Sequence, residues 1–309
     1  MENIKIGLLD FGLRDTKMNS LHVIEDLIEY ANHADKLGFS RLWVAEHHVA
    51  NTRAAWSNPE TLLPILAGMT NRIKIGVAGI LLSIHNPYHV ALNFKLLANL
   101  FPGRIDLGLA NGVVGEKIAQ AAIKDTNQIL RSTFDSKLEE LVHYLQDEDE
   151  LFNEGKGIVI PPYKGEIPEI WTLGVSYGSL DRALKLRTNF ARSIFHAGSD
   201  VSYEKERLAK FREDYFQRYG VVPKMTLAIA GCCHKTSQKA KKILDFLNTK
   251  TAVGKGDIFG SPAKFQDQVM TLKEQYGIDE IIFMSAAMKS QDRMMGIELI
   301  SDIFKLNQN

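Results

Sequence analysis

The sequence predicts an α/β protein of one domain, residues 1–309, folded as a closed (β/α)8 TIM barrel. Three observations lead there. Short apolar runs alternate from end to end with segments of helical periodicity, the pattern of parallel strands joined by helical crossovers. Eight such units fit in 309 residues, close to the ~250 residues plus insertions that a barrel of this kind takes. No linker, charge block or low-complexity stretch divides the chain. An open doubly wound sheet shares the alternation, but eight units favour closure.

Residues 4–9 read as the first apolar strand. Leu21, Ile24, Leu27, Ile28, Ala31, Ala34 and Leu37 then recur at the 3.6-residue period, so a helix follows, with Ser20 as its expected cap and Gly38 as its stop. Strand two is expected at 41–45. Asn58-Pro59-Glu60 opens the next helix, with Asn as cap, Pro at the first position and Glu at the positive end of the dipole. Strand three is expected at 73–79, and Asn86-Pro87 repeats the cap-and-proline signal before a stripe of Leu92, Leu96 and Leu100. Strand four at 104–109 leads to a long helix around 127–146. Strand five at 169–173 leads to a short helix from Ser179. Strand six at 190–195 precedes a charged helix at 203–219. Strand seven at 225–231 is trailed by helices near 237–247 and 262–276, and strand eight at 280–284 by a closing helix at 293–304.

Composition narrows the class. Apolar residues make up 45% and charged residues 24%, as in ordinary globular chains. Lys plus Arg, 37, balance Asp plus Glu, 37, which argues against a nucleic-acid partner. No apolar run reaches the ~18 residues of a membrane span, and the start of the chain lacks an apolar signal core. The only cysteines, Cys232 and Cys233, are adjacent within an apolar run. They are expected as buried, reduced thiols in a strand, which fits a cytoplasmic location.

In such a barrel the active site lies at the C-terminal ends of the strands, and four clusters fall there. Glu46-His47-His48 follows strand two, and imidazoles trade protons near neutral pH. Neighbouring strand side chains point to opposite faces, so His47 and His48 are poorly placed to share a metal ion, and no metal is expected. Val77-Ala78-Gly79 ends strand three, and its small side chains would let a flat ring lie against the backbone or simply relieve crowding. Leu109-Ala110-Asn111-Gly112 follows strand four and reads equally as a plain Asn-Gly turn. Leu173-Gly174-Val175-Ser176-Tyr177-Gly178-Ser179 follows strand five. Its free N–H groups and hydroxyls suit a phosphate, or serve only to cap a helix at Ser179. The Walker, dinucleotide-fingerprint, nucleophile-elbow and zinc-protease patterns are all missing from the sequence.

In this order the clusters resemble the bacterial luciferase-like flavin monooxygenases. The matching text is Leu42-Trp43-Val44-Ala45-Glu46-His47-His48, the stretch from Arg72 through Gly79 to His85-Asn86-Pro87, and Pro102-Gly103-Arg104-Ile105-Asp106. The resemblance implies reduced FMN bound over the barrel mouth and supplied by a separate flavin reductase. It implies oxidation of a small organic substrate with O2 through a flavin C4a-(hydro)peroxide. It assigns His47 to the reacting edge of the flavin and Glu46 to ring contact, and implies a non-proline cis peptide at Ala78-Gly79 beneath the ring. Leu173, Gly174, Ser176, Tyr177, Gly178 and Ser179 match the phosphate segment. Ala110 and Asn111 stand where several relatives carry a phosphate-binding arginine, and Arg131 is a candidate to compensate. A homodimer through the helices that open at Asn58-Pro59 and Asn86-Pro87 is implied as well. The glycine-rich segment 253–260 reads as a mobile lid or a connector. Competing readings are deazaflavin- or NAD(P)H-dependent hydride transfer on the same barrel, a non-catalytic flavin-binding partner subunit, and a barrel that recognises a sugar phosphate.

Overall fold

The computed structural model describes residues 4–14, 17–48, 53–112, 114–122, 134–153, 158–175, 177–196, 205–250 and 256–308. Its strands are β1 (Lys5–Asp10), β2 (Arg41–Val44), β3 (Lys74–Leu81), β4 (Ile105–Ala110), β5 (Glu169–Gly174), β6 (Asn189–Ser193), β7 (Met225–Cys233), β8 (Ile258–Gly260) and β9 (Glu280–Ser285). Eight of them close a parallel barrel, β1 through β7 in order and then β9, which returns to β1. The short β8 pairs only with the end of β7, at Gly231–Cys233, outside the ring. The helices are α1 (Ser20–Lys36), α2 (Leu63–Gly68), α3 (Pro87–Leu100), α4 (Glu116–Ala122), α5 (Phe134–Gln146) and α6 (Glu148–Asn153). After β5 come α7 (Tyr177–Lys185), α8 (Lys205–Tyr219), α9 (Ser237–Lys250), α10 (Pro262–Tyr276) and α11 (Ser290–Phe304). None of the described helices is long and apolar enough to cross a membrane.

The strands read as near-continuous apolar runs because both faces are buried. Outward residues such as Leu8, Leu42, Ile75, Leu107 and Ile281 pack beneath the helices in one core. Inward residues, among them Leu9, Trp43, Trp171, Ala228 and Ile282, fill a second core inside the ring. The foot of that inner core is ionic. Arg41 donates to Asp106 Oδ2 at 2.6 Å and to Glu280 Oε1 at 2.8 Å, with Glu169 at 3.5 Å. Trp43 stacks edge-on against Trp171 above it, with centroids 5.2 Å apart. Room for these large groups comes from inward glycines. A Cβ on Gly7 would stand 2.6 Å from Arg41 Cγ, and one on Gly76 would stand 2.5 Å from Asp106 Cβ.

Several local expectations shift. The cap of α1 is Asn19 rather than Ser20, because the Asn19 side chain accepts the Leu21 N–H while Ser20 already belongs to the helix. Asn86 caps α3 as expected, its side chain accepting from His89 N–H. Asn58 makes no side-chain cap, and Pro59–Thr61 form a single 3-10 turn before α2 begins at Leu63. Strand six ends at Ser193, freeing residues 194–196 for the barrel mouth. Helix α7 starts at Tyr177, which places Ser179 inside the first turn and not at the cap. In the segment 253–260, Ile258–Gly260 is strand β8 tied to β7, so that part is a fixed edge and not a lid; positions 253–255 lie outside the described residues. So do Ser176, Arg131 and the expected start of the long helix at 127.

Candidate active site at the barrel mouth

The mouth is built by alternation along adjacent strands. Trp43 pairs with Gly76 in register and both point inward, so Ala45 and Ala78, two residues on, also point inward. Between Val77 and Ile80 the β3–β4 register shifts, leaving Ala78 and Gly79 opposite the single Gly108. The Ala78-Gly79 peptide in this bulge is cis. A Cβ on Gly79 would stand 2.6 Å from Leu173 Cδ1 and 2.8 Å from Gly108 O. Ala45, Ala78, Gly79 and Gly108 therefore make a low floor of small residues, against which the Leu173 side chain packs. Ala110 lies one residue beyond the Leu109↔Thr172 pair, which sets it beside Leu173, and it packs with Leu81, Val114 and Ala119. Asn111 is exposed at the same rim.

Glu46, at the end of β2, does not face this floor. Its side chain is buried, and its Oε1 accepts from His48 Nε2 at 2.6 Å and His85 Nε2 at 2.8 Å. Its Oε2 accepts the Leu81 N–H at 2.9 Å. Burial pushes the carboxyl up, but hydrogen bonds and charge from His85, with help from His48 and Leu81, hold it below its ordinary value. The same contact outweighs burial at His85 and raises that imidazole. Lys137 of α5 donates to the carbonyls of Ser83 and His85, pinning the turn that carries His85. Glu46 thus ties the end of β2 to the end of β3, where the bulge lies. Glu46→Ala strands one buried donor, the Leu81 N–H, at about 1–3 kcal/mol, and removes the partner of two partly exposed imidazoles, His48 and His85. Glu46→Gln keeps an acceptor for the two imidazoles. The expected result is a larger fall in thermal midpoint for Ala than for Gln, read by calorimetry; equal falls would contradict the clamp.

His47 points the other way from its neighbours. Its ring meets Phe11 edge-on at 4.6 Å, and its Nε2 is buried with no hydrogen-bond partner among the described residues. Burial lowers its basicity, and the charge of His48 adds to that against the pull of Glu46. A buried polar atom without a partner normally marks a place for something else.

On the fifth strand, Gly174 is needed for close approach, since a Cβ there would stand 2.2 Å from Ser179 Cβ. That contact seats Ser179, which is buried, in the first turn of α7. The first turn of a helix holds N–H groups without intrahelical acceptors, so Gly178 and Ser179 offer an anion site beside the floor. The structure thus gathers clusters from four successive strand ends, β2 to β5. Three contributors went unread as site residues. His85 reads only as part of the stretch leading into Asn86-Pro87, Phe11 lies just past the expected first strand at 4–9, and Ser193-Ile194-Phe195 fall in the expected strand at 190–195, with His196 directly after it. A polar residue directly after the sixth strand was the available signal for His196.

The match to a family model, luciferase-like monooxygenase, extends over residues 4–280. The chain belongs to the luciferase-like monooxygenase family. Among its curated relatives is the N-acetyl-S-alkylcysteine monooxygenase of Bacillus subtilis (strain 168), 32% identical over 206 residues that make up 67% of this chain and 61% of that protein. Among solved structures, apo-MsnO8 superposes with a TM-score of 0.83 at 24% identity, covering 98% of this chain and 99% of that one. The oxygenating constituent of 3,6-diketocamphane monooxygenase from Pseudomonas putida, solved in complex with FMN, superposes with a TM-score of 0.71 at 18% identity, covering 97% of each chain. At these identities the structural likenesses establish the barrel.

Proposed function

We propose that this family member is a monooxygenase that uses reduced FMN and O2 to oxidise a small organic molecule. One observation carries the reading: the floor of Ala45, Ala78 and Leu173 packs with Phe11, whose ring meets His47, and the buried His47 Nε2 has no partner among the described residues. That combination fits a planar ring system needing one hydrogen bond at its edge. Bound FMN supplies the electrons that activate oxygen. The chain's own residues do the rest. The backbone N–H groups of Gly178 and Ser179 hold the phosphate. Ala78 and Gly79 support the ring. His47 holds or moves a proton at Nε2, and Phe11 keeps water from that edge. Glu46 acts at one remove, by fixing β2 against β3. Asn111 offers no charge to the phosphate, and loose binding suits a cofactor delivered by a separate reductase. The reading takes the whole chain as one catalytic domain in the cytoplasm. Thioethers are the first substrate class to try, supported by the cysteine-thioether monooxygenase among the relatives.

The test is to titrate the protein with oxidised FMN by flavin fluorescence, then to measure O2 uptake with chemically reduced FMN and an N-acetyl-S-alkylcysteine. Saturable binding with product carrying one added oxygen atom is expected. Binding of deazaflavin alone, with no O2 uptake, would move the protein to the hydride-transfer reading.

The chain is also proposed to pair with a second copy through α2 and α3. Tyr88, Leu96 and Leu100 stand exposed at helical spacing on α3, with Ile65 on α2 and Met69 at its C-cap. Aliphatic residues so grouped mark an interaction face. Leu96→Arg with Leu100→Arg should leave a folded monomer; a wild-type protein already monomeric in sedimentation at working concentration would refute the pairing.

A further inference from the structure

At the end of β6, facing Phe11 and His47, the mouth has residues that the flavin reading does not use. Ser193, the last residue of β6, lies in register with inward-facing Ala228, so its side chain also points into the barrel. The chain then turns, and His196 folds back until its Nδ1 lies 2.6 Å from Ser193 Oγ. Phe195 is buried in the inner core and stacks on the His196 ring at 4.5 Å. Phe11 stands 6.0 Å from Phe195, 6.3 Å from His196 and 4.6 Å from His47. Two imidazoles, from β2 and from the end of β6, thus tip one aromatic wall.

We propose that Ser193 and His196, with His47 facing them, form a binding arm for an uncharged carbonyl or amide group on the organic substrate, while Phe11 and Phe195 hold the substrate's apolar part. The argument is geometric. The Ser193 hydroxyl fixes the His196 ring through Nδ1 and leaves Nε2 for a ligand, and His47 Nε2 lacks a partner among the described residues. The charge balance agrees. Burial, then the nearby His47, push His196 down to about 4, and burial lowers His47 as well. Both shifts favour the neutral rings. Neutral imidazoles pair with a carbonyl or an amide at little cost, whereas a carboxylate would have to be desolvated without a counter-charge from them. A site built around such a hydrogen bond rejects analogues that lack the group.

The inference rests on the mouth being the active site, but it can be read without turnover. Benzamide, toluene and benzoate serve as probes, added to the protein with and without oxidised FMN while the histidine imidazole signals are followed by NMR. Benzamide should saturate at about tenfold lower concentration than toluene, as one buried hydrogen bond implies, and should move the His47 and His196 signals. Benzoate should be the weakest of the three. Ser193→Ala and His196→Phe should cut the preference for benzamide over toluene to about twofold or less, while His196→Asn, which keeps a polar tip, should retain part of it. Equal binding of benzamide and toluene, tightest binding of benzoate, no binding of any probe, or unaltered preference in the variants would each overturn the arm. If benzamide binds as expected but FMN does not, the flavin reading falls and the arm stands.

Discussion

Arg41→Ala is expected to lower folding stability by about 3–5 kcal/mol, the cost of removing one partner from a buried ionic group. Arg41 is enclosed by Asp106, Glu280 and Glu169, and its guanidinium also sits 4.7 Å from the Trp171 ring centroid. Asp106 has no exposed surface, and its remaining partner for Oδ2 is the Trp43 indole N–H at 2.8 Å. The pH dependence identifies the cause. Burial raises Asp106 above its ordinary 3.8, so its contribution is most favourable below that value and is lost as pH rises through the folded value. Glu169 runs the opposite way. Burial pushes it up, but Arg41, Lys224 and Lys74 pull it from 4.5 to about 2, so it stabilises above 4.5 and loses that effect as pH falls toward 2. Removing Arg41 enlarges the first effect and shrinks the second. Both changes make the variant comparatively worse at high pH. Urea midpoints should show a wider gap between wild type and variant near pH ~8 than near pH ~5. A gap independent of pH would show that lost packing over Trp171, not charge, explains the effect.

His47→Ala should reduce kcat/KM by about 10²–10⁴, the range for a positioned proton donor or acceptor, while lowering affinity for oxidised FMN by no more than about tenfold, the worth of the one edge hydrogen bond it removes, since the phosphate site is untouched. The separation matters because a floor that collapsed would lose both. The wild-type pH profile should carry an acid limb below the ordinary imidazole value of 6.5, because burial lowers His47 and its neutral form is the working one. As pH falls through that value the ring gains a proton and the rate drops. In the variant that limb should vanish. Unchanged turnover in His47→Ala would remove this residue from the chemistry altogether.

Much of the candidate site is legible in the sequence. Glu46-His47-His48, Ala78-Gly79 and the Gly174–Ser179 turn each sit where a strand end is recognisable from local pattern alone, and the cis bond at Ala78-Gly79 falls where the resemblance implied. The partners of Glu46 were not legible locally. A carboxylate at a strand end looks available to a ligand until the partners from residues 81 and 85 are known, and those arrive from the next strand. His196 is not legible as a site residue because the expected strand runs to 195, and only the earlier end of β6 at Ser193 turns the segment over the mouth.

What the linear chain determined by itself was periodic: two-residue and 3.6-residue rhythms are local, so the eight strands, their helices and the polar residues following each strand could be read directly. Which of those residues meet was decided by ring closure. Arg41 reaches Glu280 across 239 positions because β9 lies against β1, and β1 against β2. His47 and His196 share one aromatic wall for the same kind of reason. The stagger and tilt of a closed barrel are collective properties of all its strands, and no window of sequence contains them.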